Sequence, residues 1–217
     1  MSVDMVHGAP SPLKGLQRIG IMGGTFDPIH YGHLLAAEEA FSSLGLDRVI
    51  FVPTGESPHK RHRQVSTAED RYAMALLATL DNFHFSLSRV EIDRGGASHT
   101  VDTLREMRHW FSPSHAEFFF ITGMDAVLQL DTWKNPELLP GLCHIVAVGR
   151  PGFDASDLLN LSSSLTKSIV FLEIPLLAIS STEIRSRIAA KKSIRYLVPS
   201  TVENYIHKKK LYGYAGA

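Results

Sequence analysis

Along the chain, short and nearly continuous apolar runs alternate with longer stretches in which apolar residues recur every three or four positions. The runs Arg18–Met22, Arg48–Pro53, Glu117–Thr122, His144–Val148 and Ile169–Ile174 have the length and composition of strands buried on both faces. Between them, Leu34–Leu44, Thr67–Leu80 and Val101–Phe111 carry apolar residues at helical spacing. Strand–helix alternation predicts right-handed crossovers and a parallel sheet covered on both faces, a doubly wound α/β architecture. Ligands of such a fold bind outside the carboxyl ends of the strands, where the strand order reverses. Ser180–Lys191 and Pro199–Lys209 read as helices, and Gly45 and Gly213 stand where helices are predicted to stop.

Residues 1–17 mix Gly, Pro and Ser without a period, and they are expected to form a flexible N-terminal extension. The remainder, 18–217, is expected to be a single domain with the C-terminal helices, about 180–212, packed on it. No internal repeat is visible, and the Ser/Leu-rich stretch Asp157–Lys167 matches no pattern.

Composition narrows the class. The 217 residues are 44% hydrophobic and 20% charged, enough to bury a sizeable core. Lys and Arg total 22 and balance 22 Asp and Glu, which argues against nucleic acid or an acidic membrane as partner. The single cysteine, Cys143, excludes an internal disulfide framework and suits a reducing cytoplasm. No apolar run reaches the roughly 18 residues of a membrane span, and the N-terminus lacks a secretory pattern.

The most informative segment is Gly20-Ile21-Met22-Gly23-Gly24-Thr25-Phe26-Asp27-Pro28-Ile29-His30-Tyr31-Gly32-His33-Leu34, a strand running through a glycine-bearing loop into a helix. Gly23 and Gly24 leave room for a phosphate chain to approach the backbone, and the helix N-terminus beyond supplies free N–H groups and a positive dipole end. Neither a Walker A loop nor the G-x-G-x-x-G fingerprint is present. His30 and His33 share one helical face. By themselves they are open to three readings: structural histidines, zinc ligands, or phosphate-binding groups. The zinc reading lacks partners, since no Cys-x-x-Cys or H-E-x-x-H accompanies the pair. No metal-ligating side chains are therefore assigned.

A second anion site is encoded in Ile179-Ser180-Ser181-Thr182-Glu183-Ile184-Arg185. Ser180 and Glu183 are spaced as a capping box, with Ile179 and Ile184 placed as a hydrophobic staple. Capping accounts for Ser180 but leaves Ser181, Thr182 and Arg185, which gather hydroxyls and a guanidinium at a helix N-terminus.

The eleven-residue block Gly23–His33 resembles the signature of the nucleotidylyltransferases that carry H-x-G-H, and Ile179–Arg185 resembles the Ile-Ser-Ser/Thr-x-x-Arg motif of the same family. Within it, the likeness is to the bacterial nicotinate-nucleotide adenylyltransferases, and it extends over roughly residues 18–212, including Arg150-Pro151 and Tyr196-Leu197-Val198-Pro199 before Val202 and Tyr205. The resemblance implies a Rossmann-like α/β fold with a small C-terminal helical portion. It implies adenylyl transfer from ATP to nicotinate mononucleotide in NAD biosynthesis, giving nicotinate adenine dinucleotide and pyrophosphate, with Mg²⁺ bound along with ATP. His30, His33 and Arg185 would be catalytic, stabilising charge on the α-phosphorus and the departing pyrophosphate. Gly23, Gly24, Thr25, Phe26, Gly32, Gly123, Asp125, Ser180, Ser181 and Thr182 would complete the ATP site, with Gly32 letting the nucleotide lie close to the helix.

For the acceptor, Ser57-Pro58-His59-Lys60 follows the second strand and continues as Arg61-His62-Arg63. A solvated surface is the plain reading of such a run, whereas the resemblance makes Lys60 a phosphate contact. Ala97-Ser98-His99-Thr100-Val101-Asp102-Thr103-Leu104 opens a helix that Ser98 or Asp102 could simply cap or complement. The resemblance instead places the pyridine carboxylate at this segment, through Ser98 and Thr100. Ile121-Thr122-Gly123-Met124-Asp125 ends a strand where Asp125 could hold ribose hydroxyls. Trp133 could pack in the core or stack on the base.

Two related activities compete. The pantetheine-phosphate enzymes typically have Thr where His30 stands, a shorter chain and no counterpart of Asp131-Thr132-Trp133. A nicotinamide-mononucleotide enzyme would differ in whether the site hydrogen-bonds an amide or a carboxylate. From other classes come a zinc hydrolase and a nucleotide-binding regulatory module without turnover, though a degenerate copy would be free to lose both histidines and Arg185. A homo-oligomer is compatible with every one of these readings.

Overall fold

The computed structural model describes residues 16–56, 65–111, 115–149, 162–175 and 177–214. Among these residues six strands form one sheet: β1 (Gln17–Gly24), β2 (Arg48–Pro53), β3 (Phe85–Leu87), β4 (Ala116–Gly123), β5 (His144–Gly149) and β6 (Ile169–Glu173). Their order is β3-β2-β1-β4-β5-β6, and all five pairings are parallel. The chain moves outward from β1 to β3 and then returns to the other side of β1 at β4. The switch point is therefore between β1 and β4, whose carboxyl ends open a crevice.

The period-2 alternation of each strand divides the core in two. Val49, Phe51, Phe119, Ile121, Val146 and Val148 face one side, where they meet α1 (Tyr31–Leu44), α2 (Ala68–Thr79), α7 (Ser181–Ala189) and α8 (Ser200–Lys209). Ile50, Val52, Phe118, Phe120, Ile145 and Ala147 face the other, covered chiefly by α4 (Thr100–Trp110) and the 3-10 turn Pro136–Gly141. Burial on both faces explains why the strands read as apolar runs. The predicted C-terminal helices thus pack on the same sheet face as α1, with Ile184, Val202 and Ile206 fully buried.

Three short helices escaped the periodicity: α3 (Val90–Arg94), α5 (Met124–Val127) and α6 (Ser163–Lys167), which is the described end of the stretch 157–167. Each is too short to show a helical period. Gly45 closes α1 in the left-handed conformation, φ 57°, as its position predicts. Gly213 does not close α8. Lys210 does, also left-handed at φ 54°, and Gly213 ends the short 3-10 turn that follows.

Candidate active site

The loop from β1 to α1 forms the floor of the crevice. Phe26 takes a left-handed backbone, φ 51°, unusual for a bulky side chain. Its ring folds back over Gly24, where a Cβ would lie 2.7 Å from it, and is fully buried. The ring of His33 meets it in a T-shaped arrangement, with centroids 5.1 Å apart.

His30 is the N-cap of α1. Its backbone N–H donates to His33 Nδ1 at 3.2 Å, which leaves Nε2 of a neutral His33 as the proton-bearing nitrogen. The reciprocal contact falls short of a hydrogen bond: His30 Nδ1 is buried without a partner. The two rings stack at 3.7 Å. Gly32 makes room for this arrangement, because a Cβ there would sit 3.0 Å from His30 Nδ1. Its missing side chain therefore faces the His30 ring. Burial pulls the His30 pKa from 6.5 to about 4, which holds this imidazole neutral. An orphaned polar atom in a desolvated ring is costly and characteristic of functional sites.

Opposite lies the N-terminus of α7. Ser180 Oγ accepts the Glu183 N–H at 3.1 Å, as a cap should. The return half of the box is absent, because Glu183 Oε1 accepts from Arg187 Nε at 2.9 Å. Ser181 Oγ donates to Pro28 O at 2.9 Å, and Arg185 Nη1 donates to Asp27 O at 2.7 Å. Arg185 Nη2 also reaches Thr182 Oγ1 at 3.3 Å. These bonds dock α7 onto the loop and enclose a cavity of about 310 Å³ lined by Thr25, Asp27, His30, His33, Val65, Ile179, Ser180, Ser181, Thr182 and Arg185.

A second cavity of about 300 Å³ lies across Thr25, the lining residue common to both. Gly23, Gly24, Thr54, Glu91, Ser98, His99, Thr100, Phe120, Thr122, Trp133 and Lys134 are among its walls. Trp133 meets Phe120 edge-to-face at 5.9 Å. Ser98 does not cap α4: its Oγ accepts the Gly55 N–H at 3.1 Å, and its own N–H donates to Glu56 O, tying the loop after β2 to the helix start. Asp102, in the first turn of α4, pairs with Lys134 at 2.9 Å, and that bond holds its carboxyl below the usual range.

The two predicted phosphate motifs thus converge on the first cavity. Ser98, Thr100 and Trp133 meet in the second, together with Gly23 and Gly24, which sequence placed on the ATP side. Gly123 and Asp125 are exposed at the carboxyl end of β4 and line neither cavity; Phe26 and Gly32 support the walls from behind. Lys60 lies outside the described residues. Sequence reasoning assigned no role to Asp27, Arg71, Glu91, Lys134 or Tyr212. Arg71 is 3% exposed and donates to three carbonyls, Thr25 O at 2.9 Å, Gly55 O at 2.9 Å and Ser66 O at 3.2 Å. A lone cation on the apolar face of α2 was the signal that could have found it.

A family model described as cytidylyltransferase-like matches residues 21–187. Relatives named probable nicotinate-nucleotide adenylyltransferase include those of Corynebacterium kroppenstedtii, 51% identical over 195 residues, covering 90% of each chain. That of Moorella thermoacetica is 50% identical over 199 residues, 90% of this chain and 91% of its own. That of Streptomyces coelicolor is 52% identical over 192 residues, 88% of this chain and 98% of its own. Among solved structures, the Plasmodium falciparum nicotinic acid mononucleotide adenylyltransferase complexed with NaAD shares the fold at a TM-score of 0.74. It is 20% identical, over 91% of this chain and 98% of that one.

Proposed function

The chain belongs to the nicotinate-nucleotide adenylyltransferases, within the cytidylyltransferase-like family, and from that premise we propose that it transfers the AMP part of ATP to nicotinate mononucleotide. The products are nicotinate adenine dinucleotide and pyrophosphate, a step of NAD biosynthesis. The observation that carries this reading is the pair of cavities meeting at Thr25. One offers imidazoles, a guanidinium and a helix N-terminus; the other offers an indole and the start of α4. A triphosphate suits the first and a pyridine mononucleotide the second.

In this reading an oxygen of the mononucleotide phosphate attacks the α-phosphorus of ATP in line. The bond from the α-phosphorus to the bridging oxygen breaks, and pyrophosphate leaves toward α7. The protein supplies position and charge, with no covalent intermediate. His33 donates through Nε2. His30, neutral when the site is empty, gains proton affinity as the triphosphate brings negative charge beside it. Arg185 and the free amides of α7 take the charge that develops on pyrophosphate. Gly123 and Asp125 serve the adenosine ribose beyond the cavity, and Lys60 a phosphate.

A divalent metal accompanies ATP in nucleotidyltransferases of this kind, and we assign Mg²⁺. Among the described residues no three His, Cys, Asp or Glu side chains come together, and Asp27 is the carboxylate lining the first cavity. That donor set fits an ion carried chiefly by the triphosphate; Asp27 would be the side chain available to help hold it, and the ion would supply neutralisation of phosphate charge. Among the described residues no helix is long and apolar enough to cross a membrane, which suits a cytoplasmic enzyme. Residues 18–217 would act as one domain, and assembly into a homo-oligomer would leave the chemistry unchanged.

The test is pyrophosphate release from ATP and Mg²⁺ with nicotinate mononucleotide, nicotinamide mononucleotide and phosphopantetheine in parallel. Release strongly favouring the first is expected. Preference for either of the others would reassign the acceptor, and silence with all three from folded, ATP-binding protein would favour a regulatory module.

A further inference from the structure

The C-terminal turn Leu211–Gly213 reaches Asp27, in the wall of the first cavity, from a distant part of the sequence. Tyr212 donates from its hydroxyl to Asp27 Oδ1 at 2.7 Å, across 185 positions of sequence. Asp27 is 4% exposed, and the same Oδ1 accepts the Ser66 N–H at 3.3 Å. The backbone carbonyl of Asp27 is what receives Arg185 Nη1. One residue thus holds the phosphate-side arginine with its main chain while its side chain is gripped by the C-terminal turn.

This grip carries a conformational cost. Tyr212 sits in the left-handed region at φ 58°, ψ 27°, and Lys210, two residues before, is left-handed at φ 54°. Two non-glycine residues in that region within three positions are strained, and such strain persists where the surroundings over-determine the geometry. The turn also touches α7, the helix that carries Arg185. Burial above all, and then Asp27, push the Tyr212 hydroxyl well above its ordinary range. The group stays protonated, and so remains a donor, throughout the pH range of an assay.

We propose that Tyr212 is a positioning residue for adenylyl transfer, aiming Arg185 at the departing pyrophosphate by fixing Asp27. The proposal rests on the reading of Arg185 given above. Its mechanical logic is that, among the described residues, Arg185 donates to Asp27 O and Thr182 Oγ1, and of these Asp27 is the one anchored from another part of the fold. Without the phenol the β1–α1 loop would keep its Arg71 and Ser181 contacts, and Asp27 its longer bond from the Ser66 N–H, but the shorter of the two bonds on the carboxylate of the residue that orients the guanidinium would be lost.

The experiment is Tyr212→Phe, which removes one oxygen and keeps the ring, measured with its double-mutant cycle against Arg185→Lys. A drop in kcat of about tenfold is expected, because misplaced charge stabilisation is felt in the transition state. The KM for nicotinate mononucleotide, which is bound in the other cavity, should stay within about twofold. The losses should also be non-additive: in an Arg185→Lys background the phenyl variant should cost markedly less than it does alone. Wild-type kcat in Tyr212→Phe, or losses that multiply fully with those of Arg185→Lys, would overturn the proposal. So would a rise in both KM values together with a lowered melting temperature, the mark of a merely structural bond. Absence of pyrophosphate release from the wild-type protein would instead sink the assigned reaction, so the two failures are distinguishable.

Discussion

His30 condenses the residue-scale argument. Its ring is buried and stacked on His33, and desolvation alone pulls its pKa to about 4 from an ordinary 6.5. Because the unfolded chain takes up this proton more readily than the folded one, stability is fully present above about pH 6.5 and is lost as pH falls from there to about 4. The gap sets an upper bound of about 3 kcal/mol on that loss. His30→Asn should therefore flatten this part of the pH dependence in denaturant titrations of the empty protein. Parallel curves for the two proteins would show that the imidazole is not held neutral. Saturating ATP should itself lessen the wild-type dependence, since phosphate charge favours the imidazolium. The histidines and the arginine were legible from their motifs. Asp27 was written in the same block, but its double use, carbonyl to Arg185 and carboxylate to Tyr212, was not.

At the scale of elements, the long apolar runs located five of the six strands to within two residues at each end. The exception, β3, is a three-residue strand at the sheet edge, paired to β2 alone, and too short to carry a period. Elements are placed here by close approach of backbones as much as by periodicity. After β2, Gly55 lies against α3: a Cβ at this position would sit 2.5 Å from Glu91 O and 3.1 Å from Ser98 Oγ. The same residue donates to Ser98 and accepts from Arg71, so it joins α2 and the start of α4 to the sheet. Gly55→Ala must displace backbone, which yields less readily than a side-chain tip, and should cost about 1–3 kcal/mol in chemical denaturation. A loss below about 0.5 kcal/mol would mean that the loop relaxes freely. The capping signals were legible more unevenly. Ser180 caps α7 as its spacing promised, whereas Ser98, equally plausible by type, is drawn away to Gly55.

For the whole molecule, the site is a seam between parts of the chain that are distant in sequence. Ser181 and Arg185 reach back to the β1–α1 loop, and Thr201 Oγ1 bonds Leu77 O between α8 and α2. A triphosphate lying between α1 and α7 would add contacts across that seam in the folded state only. ATP with Mg²⁺ at about 100 times its dissociation constant should stabilise by about 2.7 kcal/mol, a rise of roughly 5–10 °C in melting temperature for a chain of this size. No rise at concentrations that saturate by an independent binding measurement would show that the nucleotide does not prefer the folded state, and would remove the seam as its site.

By itself the sequence determined what depends on local spacing: five strands, the long helices, the parallel doubly wound class, and two motifs at helix N-termini whose residue types suggested a phosphate site. Those follow because hydrophobic periodicity, capping and the needs of a phosphate chain are all written within a few residues of one another. Only the tertiary structure decided which residues share a wall. It put Gly23 and Gly24 in the wall of the second cavity, set Gly32 against a histidine ring, buried Arg71 among three carbonyls, and brought Tyr212 to Asp27. Each of these rests on contacts between segments far apart in the chain. Such pairings carry no local period, because the close packing of the folded core selects them.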